Sequence, residues 1–300
     1  MTGPLPHPHG AVLSWYASHA RDLPWRASDR TPWGVLVSEV MLQQTPVARV
    51  EPVWRAWMDR WPRPADLAAE QPGEAIREWG RLGYPRRALR LHSAAQAIVE
   101  RHDGAVPGTY ADLRALPGVG DYTAAAVAAF AFGQRHAVLD TNVRRVLARA
   151  VSGVAHPPPS PTAAERDLAD SLLPAEGAPA WSVAVMELGA LVCTANAPRC
   201  TECPLAGGCA WRQDGAPSHN GRPRRTQAWN GTDRQARGRL LAVLRGAPAA
   251  VPKEALDLAW PDDPVQRERA LDGLVADGLV EPLPGDRFRL PAAPPARSTT

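Results

Sequence analysis

Two carboxylates and four thiols carry the reactive potential of this sequence. Glu39 lies in the apolar run Val35-Leu36-Val37-Ser38-Glu39-Val40-Met41-Leu42. A carboxyl among apolar neighbours loses hydration, its pKa rises, and it becomes a general acid near neutral pH. The same pattern also suits the one exposed position of an otherwise buried helix. Asp140 precedes Thr141-Asn142 at a helix start, where it can cap the helix or face a developing positive charge. One protonated and one ionised carboxyl are what glycosidic bond cleavage needs: the first protonates the leaving group, the second stands beside an oxocarbenium-like sugar. Cys193, Cys200, Cys203 and Cys209 are spaced C-x6-C-x2-C-x5-C, with no cysteine elsewhere. In a cytosolic chain that points to metal rather than disulfides. Four thiolates suit zinc or a [4Fe–4S] cluster.

These residues depend on helices and one hairpin. Gly108 to Leu113 reads as a short helix start, Leu116-Pro117-Gly118-Val119-Gly120 as a tight turn, and 124–132 as an Ala-rich helix closed by Gly133. Gly118 and Gly120 are expected to take positive φ and to let the backbone approach a ligand closely. The next helix starts at once, so Gly118, Val119 and Gly120 are either an ordinary helix–turn–helix connection or, through the free N–H groups and dipole, a site suited to a phosphate. Trp54, Trp57 and Trp61 fall at i, i+3 and i+7, a core-facing stripe. Residues 11–20, 66–75, 76–81, 86–101, 162–173 and 180–191 also read as helices. Almost nothing before residue 280 alternates with period two, so the first 210 residues read as all-helical. Beyond 235 the pattern changes to helices at 236–245 and 265–277, a short helix after Pro252, and a hairpin about Pro284-Gly285-Asp286, together a winged-helix-like module.

Composition sets limits on partners. The 300-residue chain is 45% hydrophobic, enough for a core, with no apolar run of 18 residues and no signal-like start. A cytoplasmic, nucleoid-associated protein without a membrane partner is expected. Net charge is only +3, yet 212–239 holds seven arginines against Asp214 and Asp233, a net +5. That stretch can follow a phosphate backbone or serve as a solvated tether. Lys253 is the only lysine.

Leu116 to Gly120, then Thr123-Ala124, then Asp140 twenty residues past Gly120, closely resemble the helix-hairpin-helix and Gly/Pro-Asp motif of the endonuclease III superfamily of DNA glycosylases. Ser38-Glu39-Val40-Met41-Leu42-Gln43-Gln44-Thr45 is similar to the signature of MutY-type adenine DNA glycosylases. The resemblance covers about residues 8 to 215. It implies an all-α, two-lobed fold: a helix-hairpin-helix lobe at 34–146 and a cluster-bearing lobe from 8–33 and 147–215. A basic linker (216–235), the winged-helix-like module (236–291) and a disordered tail (292–300) are expected to follow.

The cysteine spacing matches the family's cluster loop at all four positions, directly after Glu187-Leu188-Gly189-Ala190, which implies a structural [4Fe–4S] cluster. The resemblance makes Glu39 the acid and water-activating residue and Asp140 the carboxylate that stabilises the cationic sugar, with Tyr122 and Asn142 at the active site. Trp25 and Arg26 match residues near the flipped base, Gln44 the side chain that enters the duplex, and Glu187 the acidic residue of its helix. The implied activity is removal of adenine mispaired with 8-oxoguanine or guanine in double-stranded DNA, by a monomer. It is monofunctional, because Tyr122 stands where bifunctional lyases carry a Schiff-base lysine.

Two departures stand out. Gly83-Tyr84-Pro85 replaces the frequent Gly-Tyr-Tyr, leaving Tyr84 to supply an aromatic wedge. The 65 residues after 235 are too few for the MutT-like domain that many members carry. An endonuclease III-type lyase acting on oxidised pyrimidines is the main rival, opposed by Tyr122. A non-catalytic DNA-binding iron–sulfur protein is the other, opposed by the presence of both carboxylates.

Overall fold

The computed structural model describes residues 8–217 and 229–292. Most of the basic linker, with Arg222, Arg224 and Arg225, and the tail beyond Ala292 lie outside the described residues. In chain order the elements are α1 (Pro8–His19), a 3-10 turn (Pro24–Arg26), α2 (Pro32–Leu42), α3 (Val47–Arg60), α4 (Pro64–Ala68), α5 (Pro72–Trp79), α6 (Arg86–Arg101), α7 (Tyr110–Arg114), α8 (Asp121–Phe132), α9 (Thr141–Ala150), α10 (Ala163–Ser171) and α11 (Ala178–Leu191). After a 3-10 turn (Cys200–Glu202) come α12 (Ala210–Gln213), α13 (Asp233–Gly246), β1 (Val251–Pro252), α14 (Lys253–Asp257), α15 (Pro264–Ala276), β2 (Glu281–Leu283) and β3 (Arg287–Arg289). Among the described residues no strand precedes Val251, as the missing period-two pattern requires.

Local chemistry sets many of the boundaries. Thr31 Oγ1 accepts from the Gly34 amide at 3.0 Å and starts α2. Asp140, Thr162, Thr232 and Asp263 cap α9, α10, α13 and α15 in the same way. Each such cap satisfies an otherwise orphaned amide and stabilises its helix by about 1 kcal/mol. Gly133 ends α8 in the left-handed conformation with φ 71°, which carries little steric cost for glycine.

The described chain forms two compact units. The first comprises 8–35, 108–114 and 119–217. Its core gathers Val12 and Trp15 of α1, Val146 and Leu147 of α9, and Trp181 and Leu188 of α11. The second comprises 36–107, 115–118 and 229–292. There Trp57, Trp61 and Trp79 meet edge to face, with centroids 4.9 and 5.5 Å from Trp57. Trp57 and Trp61 are fully buried, whereas Trp54 stands at the margin of the expected stripe.

The C-terminal elements have the order helix, strand, two helices, hairpin, with an antiparallel sheet ordered β1-β3-β2. Val251 pairs with Phe288, and Pro282 pairs with Phe288 from the other side. The hairpin turns at Gly285 (φ 74°) and Asp286 (φ 50°), where Pro-Gly-Asp marked it. This module is docked on α5 of its own unit. Gly73 N donates to Pro291 O at 2.8 Å, and a Cβ on Gly73 would lie 2.8 Å from Leu290 Cβ. Arg245 Nε donates to Ile76 O at 3.0 Å. Arg86 pairs with Asp277 at 3.1 Å.

Candidate active site

Asp140 performs two local tasks with its two oxygens. Oδ1 accepts from the Val143 amide at 2.6 Å, which caps α9. Oδ2 accepts from Asn142 Nδ2 at 2.7 Å. Burial holds this carboxyl above its ordinary value, opposed but not cancelled by the Val143 amide, the Asn142 side chain, the Asn142 amide and the Arg145 charge. Those four influences, with the positive end of α9, work toward the charged form, while burial leaves the carboxyl above its ordinary value. The capping and catalytic readings of Asp140 are therefore compatible.

Asn142 is itself fixed from three sides. Arg145 Nη2 donates to Asn142 Oδ1 at 2.8 Å and to Gly189 O at 2.7 Å. Arg145 Nε donates to Cys193 O at 2.6 Å. On α11, Gly189 leaves no room for a side chain: a Cβ there would fall 2.7 Å from Asn142 Cβ. The glycine is required by close approach of two helices, not by its φ. Arg149, one turn further along α9, donates to Thr194 O at 2.7 Å and Ala195 O at 3.0 Å. Arg145 and Arg149 thus tie the first turns after Leu191 to α9. Neither was picked out from sequence. The available signal was three arginines in the ten residues of a helix whose Arg144 and Arg149 are buried.

The four cysteines carry no disulfide. Burial pushes the Cys203 thiol up to about 11, and the charges of Cys193, Cys209 and Cys200 push it the same way. Burial also pushes the Cys209 thiol up, and the charges of Cys193 and Cys200 act in the same direction. Among the described residues, no three His, Cys, Asp or Glu side chains are gathered closely enough to hold a single metal ion. Four thiols free of disulfides are a donor set that could hold a four-iron cluster or a zinc ion.

Glu187, the acidic residue of α11, is held inside the protein. Its side chain has 0% exposure, and both oxygens are occupied. Oε1 accepts from Arg21 Nε at 2.7 Å and from the Arg21 amide at 3.0 Å. Oε2 accepts from Arg21 Nη2 at 2.8 Å and Arg26 Nη1 at 2.9 Å. Burial alone would raise this carboxyl, but the hydrogen bonds of Arg21 and the charges of Arg26 and Arg21 bring it down to about 2. Glu187 thus holds the Pro24–Arg26 turn in place, and with it the buried Trp25, rather than reaching outward. Tyr122 lies half-buried on α8 against Ala126, Ala129 and Val138.

In the second unit, Glu39 sits on α2 at 6% exposure, between the buried Ser38 and Val40. Burial on every side disposes of the reading that Glu39 is the solvent-facing position of its helix. Gln44 and Tyr84 are exposed, and both have left-handed backbones, with φ 57° and 48°. Of the two hairpin glycines only Gly118 meets expectation. It has φ +77°, and a Cβ would strike Arg90 Cβ at 2.6 Å. Gly120 has φ −98°, an extended conformation open to any residue, because it serves as the N-cap of α8. Val119 is buried, leaving the hairpin backbone rather than that side chain for a phosphate.

Comparison with known proteins agrees with this geometry. Residues 37–172 match the HhH-GPD superfamily of base excision DNA repair proteins. An adenine DNA glycosylase from Mycobacterium tuberculosis is 53% identical over 294 residues, covering 97% of this chain and 96% of that protein. The chain belongs to the adenine DNA glycosylases of this superfamily. The human adenine DNA glycosylase is 43% identical over 214 residues, spanning 68% of this chain and 39% of the human protein. A solved thermostable thymine-DNA glycosylase superposes with a TM-score of 0.63 at 26% identity, over 68% of this chain and 94% of that one. A trapped endonuclease III–DNA covalent intermediate has a TM-score of 0.60 at 22% identity, over 69% and 95%, and shows the fold alone. The M. tuberculosis match extends through the C-terminal module, so that short module is shared with a near relative.

Proposed function

We propose that this DNA N-glycosylase removes adenine mispaired with 8-oxoguanine or guanine in double-stranded DNA, by acid-assisted hydrolysis and without strand cleavage. Glu39 donates a proton to a ring nitrogen of the extruded adenine. The C1′–N bond then breaks with its electron pair going to the base. The sugar cation forms beside the Asp140 carboxylate, and a water that gives its proton to Glu39 completes the abasic site. The observation that carries this reading is the Asp140 carboxylate, buried yet supplied with two short donors that favour its charge.

Trp25 and Arg26, held by Glu187, line the place of the flipped base. Gln44 and Tyr84 meet the duplex, and the Gly118–Gly120 backbone receives a phosphate. Cys193, Cys200, Cys203 and Cys209 would hold a [4Fe–4S] cluster, which with four protein ligands takes no part in bond cleavage and orders the loop around it. The C-x6-C-x2-C-x5-C spacing, with no disulfide among the four cysteines, supports this assignment. The enzyme works as a monomer in the cytoplasm, at the nucleoid; no helix among the described residues is long and apolar enough to cross a membrane.

The test is a panel of duplexes with adenine opposite each base, assayed with and without alkali. Adenine release opposite 8-oxoguanine and guanine, with strand breaks only after alkali, is the expected result. Breaks without alkali, or release of oxidised pyrimidines instead, would sink the proposal.

A further inference from the structure

Arg87 is buried on α6, and no carboxylate appears among its hydrogen-bond partners. Its Nη1 donates to the carbonyls of Val40 and Met41 at 3.0 Å each, and of Gln43 at 2.5 Å. Its Nη2 donates to Thr45 Oγ1 and to Gly83 O, both at 3.0 Å. The guanidinium also lies over the rings of Trp79 (5.2 Å) and Tyr84 (5.4 Å). Burial pulls this arginine down to about 10.

One planar group therefore bridges three pieces of chain. It takes the last carbonyls of α2, the helix that carries Glu39; these have no intrahelical partners, and a cation suits the negative end of the dipole. It takes the turn on either side of Gln44. It takes the turn that precedes Tyr84. Gln44 and Tyr84 both hold left-handed backbones, which non-glycine residues keep only when their surroundings over-determine them. Both present exposed side chains, Tyr84 at 51%. A lysine could not reproduce the fork, since its single ammonium offers three donors from one point.

A side chain that enters a duplex must displace stacked bases, and a loose one must also be ordered at that moment. From these contacts we infer that Arg87 is a positioning residue, locking the turns at 43–45 and 83–85 into one two-pronged probe that carries Gln44 and Tyr84 into the DNA together. The inference rests on Gln44 and Tyr84 facing the duplex. It adds the group that makes them act as one.

The experiment uses the full chain, with R87K, Q44A and the double variant. Single-turnover adenine release is measured beside equilibrium duplex binding and the fluorescence of 2-aminopurine next to the target, which reports base extrusion. R87K should bind within a few-fold of wild type but lose roughly 10–100-fold in extrusion and excision, as expected for misplaced positioning groups. In the double variant the R87K loss should be clearly smaller than in the single variant, because one of the two prongs it positions is already gone. T45V, which removes one Nη2 acceptor and leaves Arg87 in place, should show the same kind of loss on a smaller scale, and serves if R87K folds poorly. R87K at wild-type rate beside an impaired Q44A would overturn the role of Arg87. Losses that multiply fully in the double variant would show a merely structural arginine and overturn it too. Q44A at wild-type rate would overturn the proposal at its base, the duplex-facing reading.

Discussion

Asn142 donates its side-chain amide to the Asp140 carboxylate at 2.7 Å. That bond is one of four influences opposing the burial that raises the Asp140 carboxyl. In the proposed mechanism Asp140 must be ionised to stabilise a sugar cation, and Glu39 must be protonated to act as acid. The acid limb of the pH–rate profile then belongs to Asp140 and the basic limb to Glu39. Asn142→Ala should raise the Asp140 pKa, move the acid limb to higher pH, leave the basic limb in place, and lower the rate about 10-fold, the worth of one hydrogen bond to a charged group. Single-turnover profiles from pH 4 to 9 check this; an unmoved acid limb would remove Asn142 from the site's electrostatics.

Gly189 and Asn142 touch across two helices, and the contact offers a second handle on the same carboxylate. Gly189→Ala places a Cβ 2.7 Å from Asn142 Cβ and 2.8 Å from Asn142 O, which is backbone and cannot swing away. Overpacking of this sort costs about 1–3 kcal/mol. It should also displace Asn142 from Asp140, so that excision falls by at least about 10-fold while duplex binding persists. A variant destabilised yet fully active would show that the two helices separate without disturbing the carboxylate.

Glu187 makes a prediction about pH. Its folded pKa is about 2, below the roughly 4.3 of an unfolded glutamate. The unfolded chain therefore binds the proton more readily, and the stabilisation is fully present above about pH 4.5 and fades as pH falls toward 2. Arg21 is 35% exposed, so solvent screens part of the interaction, leaving about 2 kcal/mol at neutral pH. Glu187→Gln should lower the Tm at pH 7, and the gap to wild type should narrow below pH 4.5. A gap that is constant with pH would mean that packing, not charge, is what the substitution removes.

The sequence made legible what is local. The buried character of α2 follows from its composition, the start of α9 from Asp140, and the hairpin turn from Pro284-Gly285-Asp286. Less local features did not show. Strand β1 is two residues long and has no alternation to read; it exists only because β3 pairs with it. Gly118 and Gly120 look alike in sequence, yet only Gly118 needs positive φ, because the second position is already the helix cap. Glu187 reads as a helix-borne acid, and only the arrival of Arg21, 166 residues earlier in the chain, makes it an internal anchor. Arg87 and Arg145 read as ordinary surface arginines of amphipathic helices. Their partners are carbonyls brought from distant segments, and backbone acceptors leave no mark in a sequence.

Tyr122 decides between hydrolysis and lyase chemistry. It lies half-buried against Ala126, Ala129 and Val138, and on the proposed reading it occupies the place of the lyases' nucleophilic amine. The chain's sole lysine, Lys253, is occupied elsewhere, pairing with Asp257 at 3.2 Å and with Glu268. The wild-type protein should therefore release adenine and leave an intact abasic site. Tyr122→Lys would put an ε-amine among those apolar side chains. Burial there lowers the amine's pKa and leaves part of it neutral near pH 7. Once adenine has left, the neutral amine can add to the C1′ aldehyde of the abasic site; the nitrogen's proton passes to the oxygen, and loss of water from the carbinolamine gives a Schiff base. The variant should give a covalent protein–DNA adduct on borohydride treatment, with excision slowed because the aromatic ring no longer fills its place. Wild-type protein that traps equally well would show that another amine reaches the sugar and would overturn the monofunctional reading.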